Sequence, residues 1–476
     1  MPPSAASILR RSWLPLLLHA LLCLGLFQYG LSDAEMARLR IDGPSRLIDP
    51  YLKARHVFGP LGVVRTFLRG EQDEKLYLEY SRLLLTGRVN MAYVAERQND
   101  SSLSLALPER AWPYRDVRVE YPPLAFLATL PPALLTLEYR PYRYLFSAYM
   151  LLLHVLNLWL AARLLRPQLS GAGSARVLWW SLAFLFALGS VVVTRMDHLV
   201  VTSTLLVLLA FDRAQHSSGG RRLGWAAACG ALAALGVMTK LVPGLAAAAA
   251  AVLWWRSGAS DRVRCIATCA AAGGAVLAAC NALMYWLAGS RYLDTFRYHG
   301  LRGVQIESLY AGLIMLLRPF GVAMRVEESF GSTNLASGAT ELVKHLSPVL
   351  FLLVFLALTL LRRWSADGRG ALLLTSLLLL AFMLTNRVFS PQYLIWIGAP
   401  WCVLAAETPR AQRGFVLFLG AVLLSQLIFP RGYPVLKALH PLAIWLLNLR
   451  NLTLLACGVW LTLRYSQARS TAARGA

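Results

Sequence analysis

The chain is expected to be an all-α membrane protein of about 12 transmembrane helices with a large first extracytoplasmic loop. Three observations predict it. Of 476 residues, 57% are hydrophobic and only 15% charged, against roughly 25% charged in soluble globular domains. Apolar runs recur along the length, and a helical crossing needs about 20 residues. The short loops between many of these runs carry arginine, at Arg163, Arg166, Arg213, Arg221, Arg222, Arg256, Arg262, Arg264, Arg362, Arg363 and Arg369, the mark of cytoplasmic loops.

The net charge of +23, from 47 basic and 24 acidic residues, would suit nucleic acid, but its placement in inter-span loops points to lipid headgroups and orientation instead. No nucleic-acid partner is expected; membrane lipids are. All seven cysteines, Cys23, Cys229, Cys265, Cys269, Cys280, Cys402 and Cys457, fall in apolar segments, so neither a disulfide framework nor a thiolate metal site is indicated.

The predicted organisation is an N-terminal transmembrane helix over 1–30, an extracytoplasmic loop with an amphipathic helix over 31–121, a polytopic domain over 122–464 and a basic cytoplasmic tail over 465–476. Arg10 and Arg11 precede the first apolar run as in a signal peptide, but without a clear small-residue cleavage site an uncleaved helix is the favoured reading. Spans are placed near 13–30, 143–162, 177–193, 197–212, 224–239, 241–255, 265–288, 346–361, 370–385, 392–406, 414–429 and 441–463. Residues 122–137 are apolar but hold Pro122, Pro123, Pro131 and Pro132, which predicts a re-entrant or surface-lying helix. Adjacent spans meet at Arg195, Asp197 and His198 in one case and at Lys240 in another, as where broken helices line a cavity. Arg450 lies near the middle of the last span, which predicts either an inward-facing charge or two shorter segments.

The polar motifs fall on one predicted face. They are the loop 31–121, the VEYPP turn, TRMDH at 194–198, MTKLVP at 238–243, FRYHGLRGVQIES at 296–308 and NRVFSPQY at 386–393. Ionisable groups gathered around short helices suggest a site there; external loops are also simply polar. The long loop has 13 of the 24 acids. Its stretch DEKLYLEYSRLLLTG (73–87) sets Leu76, Tyr80, Leu83 and Leu84 at helical spacing, which predicts one face on the membrane with Asp73 at its boundary. A carboxylate beside phosphate-binding arginines suits a general base.

Arginine's planar fork suits phosphate, so Arg297 and Arg302, with His299 between them, are a candidate phosphate clamp to which Lys240 and Arg387 would add. For each, a headgroup contact or an ion pair with Glu307 or Asp197 is an equal alternative, and Asp197 could equally cap its helix. Tyr121, Trp112, Tyr114 and Tyr393 are candidates for stacking on a sugar, although interfacial aromatics are commonly anchors. No GxxxxGK[ST], HExxH or GxSxG pattern occurs, which leaves nucleotide hydrolysis, zinc proteolysis and the common hydrolase triad without support.

The ordered set DEKLY with Asp73 and Tyr77, LLLTG, PYRDVRVEYPPL, RMDHLVVTSTLLVLLA, a TK-x-x-P turn and FSPQYLIW resembles the polytopic C-superfamily glycosyltransferases, nearest the mannosyltransferase-like branch that uses polyprenyl-phosphate sugars. The likeness runs from about residue 66 to 407. It implies a hexosyltransferase-type enzyme of the bacterial plasma membrane with its site on the extracytoplasmic side. Such an enzyme would move a hexose or pentose from a polyprenyl-phosphate sugar to a hydroxyl on a lipid-linked or cell-envelope glycan acceptor, with inversion. It implies Asp73 as catalytic base, in a D-x-x-x-Y motif with Tyr77, and matches the family's YPP turn at Tyr121, Pro122 and Pro123. The longer stretch between Gly87 and Pro113 departs from the family, and Asp116 and Glu120 stand as alternative bases. Tyr77, Tyr121, Asp197, Gln305, Glu307, Gln392 and Tyr393 are the expected sugar or acceptor contacts, and Lys240, Arg297, His299, Arg302 and Arg387 the donor-phosphate contacts. No cofactor is called for, and no convincing ligand cluster for a divalent metal is visible. The rival functions are a transporter or flippase of lipid-linked glycans, and a polymerase or ligase that uses diphosphate-linked lipids.

Overall fold

The structure is a computed structural model that describes residues 13–15, 17–18, 73–98, 107–165, 171–360, 364–430 and 432–467. Most of the first predicted span, the first part of the long loop and the end of the basic tail lie outside the described residues. The described chain is mainly helical. α1 (Asp73–Thr86) and α2 (Met91–Gln98) precede a 3-10 turn (Pro123–Ala125), α3 (Phe126–Ala133) and α4 (Tyr139–Leu164). Then come α5 (Gly171–Leu188), α6 (Val191–Thr194), α7 (Asp197–Gln215), α8 (Gly219–Val237), α9 (Gly244–Arg256) and α10 (Arg262–Ala288). The C-terminal half adds α11 (Asp294–Leu301), α12 (Leu309–Met315), α13 (Gly338–Leu360), α14 (Gly368–Thr385) and α15 (Ile395–Glu407). It closes with α16 (Pro409–Ile428), α17 (Tyr433–Lys437) and α18 (Pro441–Gln467).

Among the described residues six helical stretches are long and apolar enough to cross a membrane: Tyr139–Leu164, Arg262–Leu301, Gly338–Leu360, Gly368–Thr385, Pro409–Ile428 and Pro441–Leu463. Of these, α14 is nearly enclosed, and it packs with α4, α5, α7 and α15 in the main apolar core. Asp367 starts α14 by accepting the Gly370 N–H at 2.7 Å, and Thr408 starts α16 by accepting the Ala411 N–H at 3.2 Å, each satisfying a donor the helix leaves open. Helices α8 and α10 touch backbone to backbone at Gly230. A methyl there would stand 1.9 Å from the Cys269 carbonyl oxygen, the close approach that small residues permit between membrane helices.

The structure changes one sequence expectation, adds a small sheet and decides between the two readings of the last span. α1 does not lie on a membrane surface: Leu76, Tyr80 and Leu83 pack with Met91, Val94, Ala111, Tyr114 and Tyr292, while Tyr77 and Leu78 pack with Phe146 and Met150 of α4. The helix is covered by protein on most sides. Only Leu84, of the four residues, stays exposed. Second, the stretch after α10 forms a small antiparallel sheet, with β3 (Ser332–Ala336) between β1 (Val304–Gln305) and β2 (Arg325–Ser329). Ser329 opposes Ser332 across a two-residue turn, Phe330–Gly331, with φ of 51° and 60°, the left-handed pair that suits the twist of a hairpin. Third, α18 is one continuous helix, and Arg450 within it is fully buried, donating from Nη2 to the Glu307 carbonyl at 2.7 Å. The charge faces inward.

Candidate active site

The polar motifs are tied together by hydrogen bonds to backbone carbonyls. Leu124 N, after the YPP turn, donates to Met238 O at 2.8 Å, and Thr295 Oγ1 donates to Val119 O at 2.8 Å. His299 Nε2 meets Glu120 O at 2.8 Å; Arg387 donates from Nη2 to His299 O at 2.9 Å and Gly300 O at 2.7 Å; Gln305 N donates to Arg387 O at 2.9 Å. Four segments far apart in sequence thus meet around one cavity of about 730 Å³. Such a volume suits a small-molecule site.

Asp73 stands at the first turn of α1 and reaches the cavity although only 6% exposed. Arg97, from α2, contacts its Oδ1, and Arg195, from the corner between α6 and α7, contacts its Oδ2. Arg195 is extended, at φ −120° and ψ 139°, which interrupts the helix and directs the chain into the cavity wall. A carboxylate has about four acceptor positions, so two arginines leave each oxygen able to accept another hydrogen bond. Neither arginine was singled out from sequence as a partner of Asp73. The signal available was that a buried carboxylate needs a cation, and Arg195 sits in the same polar corner as Asp197.

Asp197, two residues on, is wholly buried behind the wall. It does not cap α7, whose N-cap is Met196 without a side-chain bond; its Oδ1 accepts Lys240 Nζ at 2.7 Å and Trp396 Nε1 at 2.6 Å. Lys240 therefore faces the cavity from a fixed base, 5.3 Å from the ring centres of both Tyr393 and Trp396, which stack at 4.1 Å. A desolvated ammonium gains from such faces.

Arg302 and Arg387 form the third group on the wall, with His299 beside them. Arg302 Nε is buried with no hydrogen-bond partner among the described residues, and the guanidinium lies 5.9 Å from the Tyr298 ring. Burial, and then the Arg302 charge, pushes Arg387 below the usual arginine value. Two partly dehydrated guanidinium groups that repel one another are complementary to an anion between them. Glu120 also lines this part of the wall, and burial, then the Glu120 charge, pushes the Tyr121 hydroxyl well above its usual value. Tyr121 therefore remains a donor. Beyond them Gln305, Glu307, Ser332, Thr333 and Tyr433 continue the wall, with Glu328 ion-paired to Lys437. Ser390 Oγ donates to Gln392 Oε1 at 3.0 Å, which holds that amide on the rim. Leu241, Val242 and Phe296 supply an apolar edge.

The wall thus gathers Asp73, Glu120, Tyr121, Lys240, His299, Arg302, Gln305, Glu307, Arg387, Gln392 and Tyr393 of the sequence-derived candidates. Six others lie off it, among them the exposed Trp112 and the buried Tyr114, whose hydroxyl donates to Tyr121 O at 2.9 Å. Arg297 points outward on α11, 73% exposed in its side chain, and pairs with Asp294 at 3.3 Å, so of the expected Arg297–Arg302 clamp only Arg302 lines the cavity, with His299 and Arg387 beside it. Asp116 closes its own turn, accepting Trp112 N at 2.8 Å and Arg115 Nη2 at 3.0 Å. Tyr77 is 1% exposed, beneath Tyr121 with ring centres 6.1 Å apart, and Asp197 acts through Lys240 and Trp396. Neither lines the cavity. Among the described residues no three His, Cys, Asp or Glu side chains are grouped to hold a metal ion.

Neither a scan against family models nor a search of curated proteins finds a match. Among solved structures, the crystal structure of ArnT from Cupriavidus metallidurans in the apo state is similar at 15% identity and a TM-score of 0.40, over 87% of this chain and 78% of that one. The structure of the same protein bound to undecaprenyl phosphate is similar at 14% identity and a TM-score of 0.40, over 84% and 76%.

Proposed function

We propose that this chain is a membrane glycosyltransferase of the C superfamily that takes a sugar from a polyprenyl-phosphate donor and adds it to a hydroxyl. The observation that carries the reading is one cavity holding a carboxylate, Asp73, together with an arginine pair, Arg302 and Arg387, and an apolar edge. The ordered sequence motifs support it independently.

In this reading the donor's single phosphate sits between Arg302 and Arg387, with Lys240 adjacent, and the prenyl chain leaves past Leu241, Val242 and Phe296. The acceptor oxygen attacks the anomeric carbon while Asp73 takes its proton. The bond from that carbon to the phosphate oxygen breaks, and the electron pair leaves with the lipid phosphate. One displacement inverts the centre. Negative charge grows on the departing phosphate, where cations already in place stabilise it without reorganisation. Arg97 and Arg195 hold the carboxylate in position, and Tyr121, Gln305, Glu307, Gln392 and Tyr393 are available to sugar hydroxyls. Glu120 is the alternative base. A mannose-like hexose or a pentose, an envelope glycan acceptor, and a bacterial plasma-membrane location with the cavity on the extracytoplasmic side belong to the same proposal.

The test is transfer by purified protein from radiolabelled sugar on polyprenyl monophosphate or diphosphate to an envelope-lipid extract. The expected result is label in a new glycolipid from the monophosphate alone, lost with Asp73→Asn. Transfer from the diphosphate alone would favour a polymerase or ligase, and lipid movement across vesicles without a new glycosidic bond would favour a flippase.

A further inference from the structure

Asp73 and Lys240 reach the cavity from different parts of the chain, yet both are held by one corner of three residues. Arg195 contacts Asp73, and Asp197 holds Lys240 at 2.7 Å and Trp396 at 2.6 Å. A corner at a helix break needs something to fix it. His198 does so: its Nε2 lies 3.0 Å from the Val192 carbonyl, six residues back across the break, and its ring is 1% exposed. The His198 carbonyl in turn receives Asn157 Nδ2 from α4 at 2.9 Å and Thr202 Oγ1 at 3.0 Å, and Thr202 Oγ1 lies 2.7 Å from Asn157 Oδ1. Asn157 is fully buried. None of these groups lines the cavity.

We infer that His198, anchored by Asn157 and Thr202, is a positioning residue that sets the carboxylate Asp73 and the cation Lys240 in register through the 195–197 corner. The inference rests on the proposed transfer reaction for its kinetic consequence, but its structural content does not. A buried polar network with complementary bonds fixes one arrangement, and a displacement of roughly 1 Å in a reacting group can cost about 100-fold in rate. Gln can place an amide nitrogen where the His Nε2 stands; Leu cannot.

The experiment compares His198→Leu with His198→Gln. On the transfer assay His198→Leu is expected to lower kcat about 30-fold or more with KM changed less than about threefold, and His198→Gln to recover most of the loss. In parallel, the thermal midpoint of purified protein is measured for Asp73→Asn in the wild-type and His198→Leu backgrounds. If the corner is set by His198, Asp73→Asn lowers the midpoint less than half as much once His198 is gone. That second measurement needs no turnover, so it stands even where wild-type protein transfers no sugar and the proposed function fails. Should His198→Leu not accumulate, His198→Asn, whose shorter amide stops short of the Val192 carbonyl, replaces it. Equal loss in the Gln and Leu variants, or an Asp73→Asn shift identical in both backgrounds, overturns the inference.

Discussion

Replacing Arg302 by Met separates binding chemistry from scaffolding. Arg302 makes no hydrogen bond or ion pair with another described side chain, and its charge disfavours the neighbouring Arg387. Its removal therefore takes from the empty fold the contact with Tyr298 and the attraction of the nearby Glu120 charge, and relieves the repulsion of Arg387. With an anion bound, the guanidinium forms two charge-assisted bonds, each of about 1.5–3 kcal/mol. Allowing for the water that replaces them, the loss should be about 2–4 kcal/mol, or roughly 30- to 1,000-fold in kcat/KM at 1.36 kcal/mol per decade. The assay is initial-rate transfer from a polyprenyl-phosphate sugar, with the thermal midpoint of the same preparation alongside. Arg302→Met should lose activity by that factor and change its midpoint little, because the lost Glu120 attraction and the relieved Arg387 repulsion offset one another. Near-normal kcat/KM would refute the anion site; a large fall in the midpoint would show that Arg302 holds the fold and that its lack of partners was misjudged.

Asp73→Asn should abolish transfer by about 100-fold or more while Glu120→Gln costs less than about tenfold, within the span of general-base effects; the reverse order would make Glu120 the base. Gly230→Ala should cost about 1–3 kcal/mol of stability through overpacking against Cys269, read as a lower thermal midpoint, whereas Gly274→Ala, which meets open space, should not. Tyr121 is held well above its usual value, chiefly by burial. A raised folded-state value stabilises the fold below the unfolded value near 10 and loses that stabilisation as pH rises through the folded one. Tyr121→Phe should therefore flatten the fall in stability measured above about pH 10, and an unchanged alkaline limb would refute the burial argument.

Hydropathy was a good guide to where helices run, because an apolar helix of membrane length leaves a period-free signal that needs no partner. The span expected at 370–385 is Gly368–Thr385, and that expected at 441–463 lies within Pro441–Gln467. Arg450 was legible as an anomaly, and facing the interior was one of the two ways to accommodate it. The sheet was not legible: RVEES and STNLA are short and polar, and the third strand, Val304–Gln305, is only two residues long and pairs with STNLA from about 30 residues away. Helical spacing in 73–86 was read correctly as a helix, yet periodicity cannot say whether an apolar face meets lipid or protein, and α2, α3 and α4 cover it. In the site, residue type singled out Arg302, Arg387 and Lys240, which line the cavity, and also Arg297, which α11 turns outward. Arg97 and Arg195 went unmatched to Asp73 because ion pairing between distant segments has no local pattern.

In the proposed reaction, lipid phosphate binds between Arg302 and Arg387, in the same cavity as Asp73. A polyprenyl phosphate carrying a photoreactive group next to its phosphate tests this directly, by crosslinking to wild-type protein and peptide mapping. Labelling confined to peptides spanning 296–308 and 386–393, competed by unmodified polyprenyl phosphate and lost in Arg302→Met, is the predicted result. Labelling elsewhere, undiminished in that variant, would contradict it.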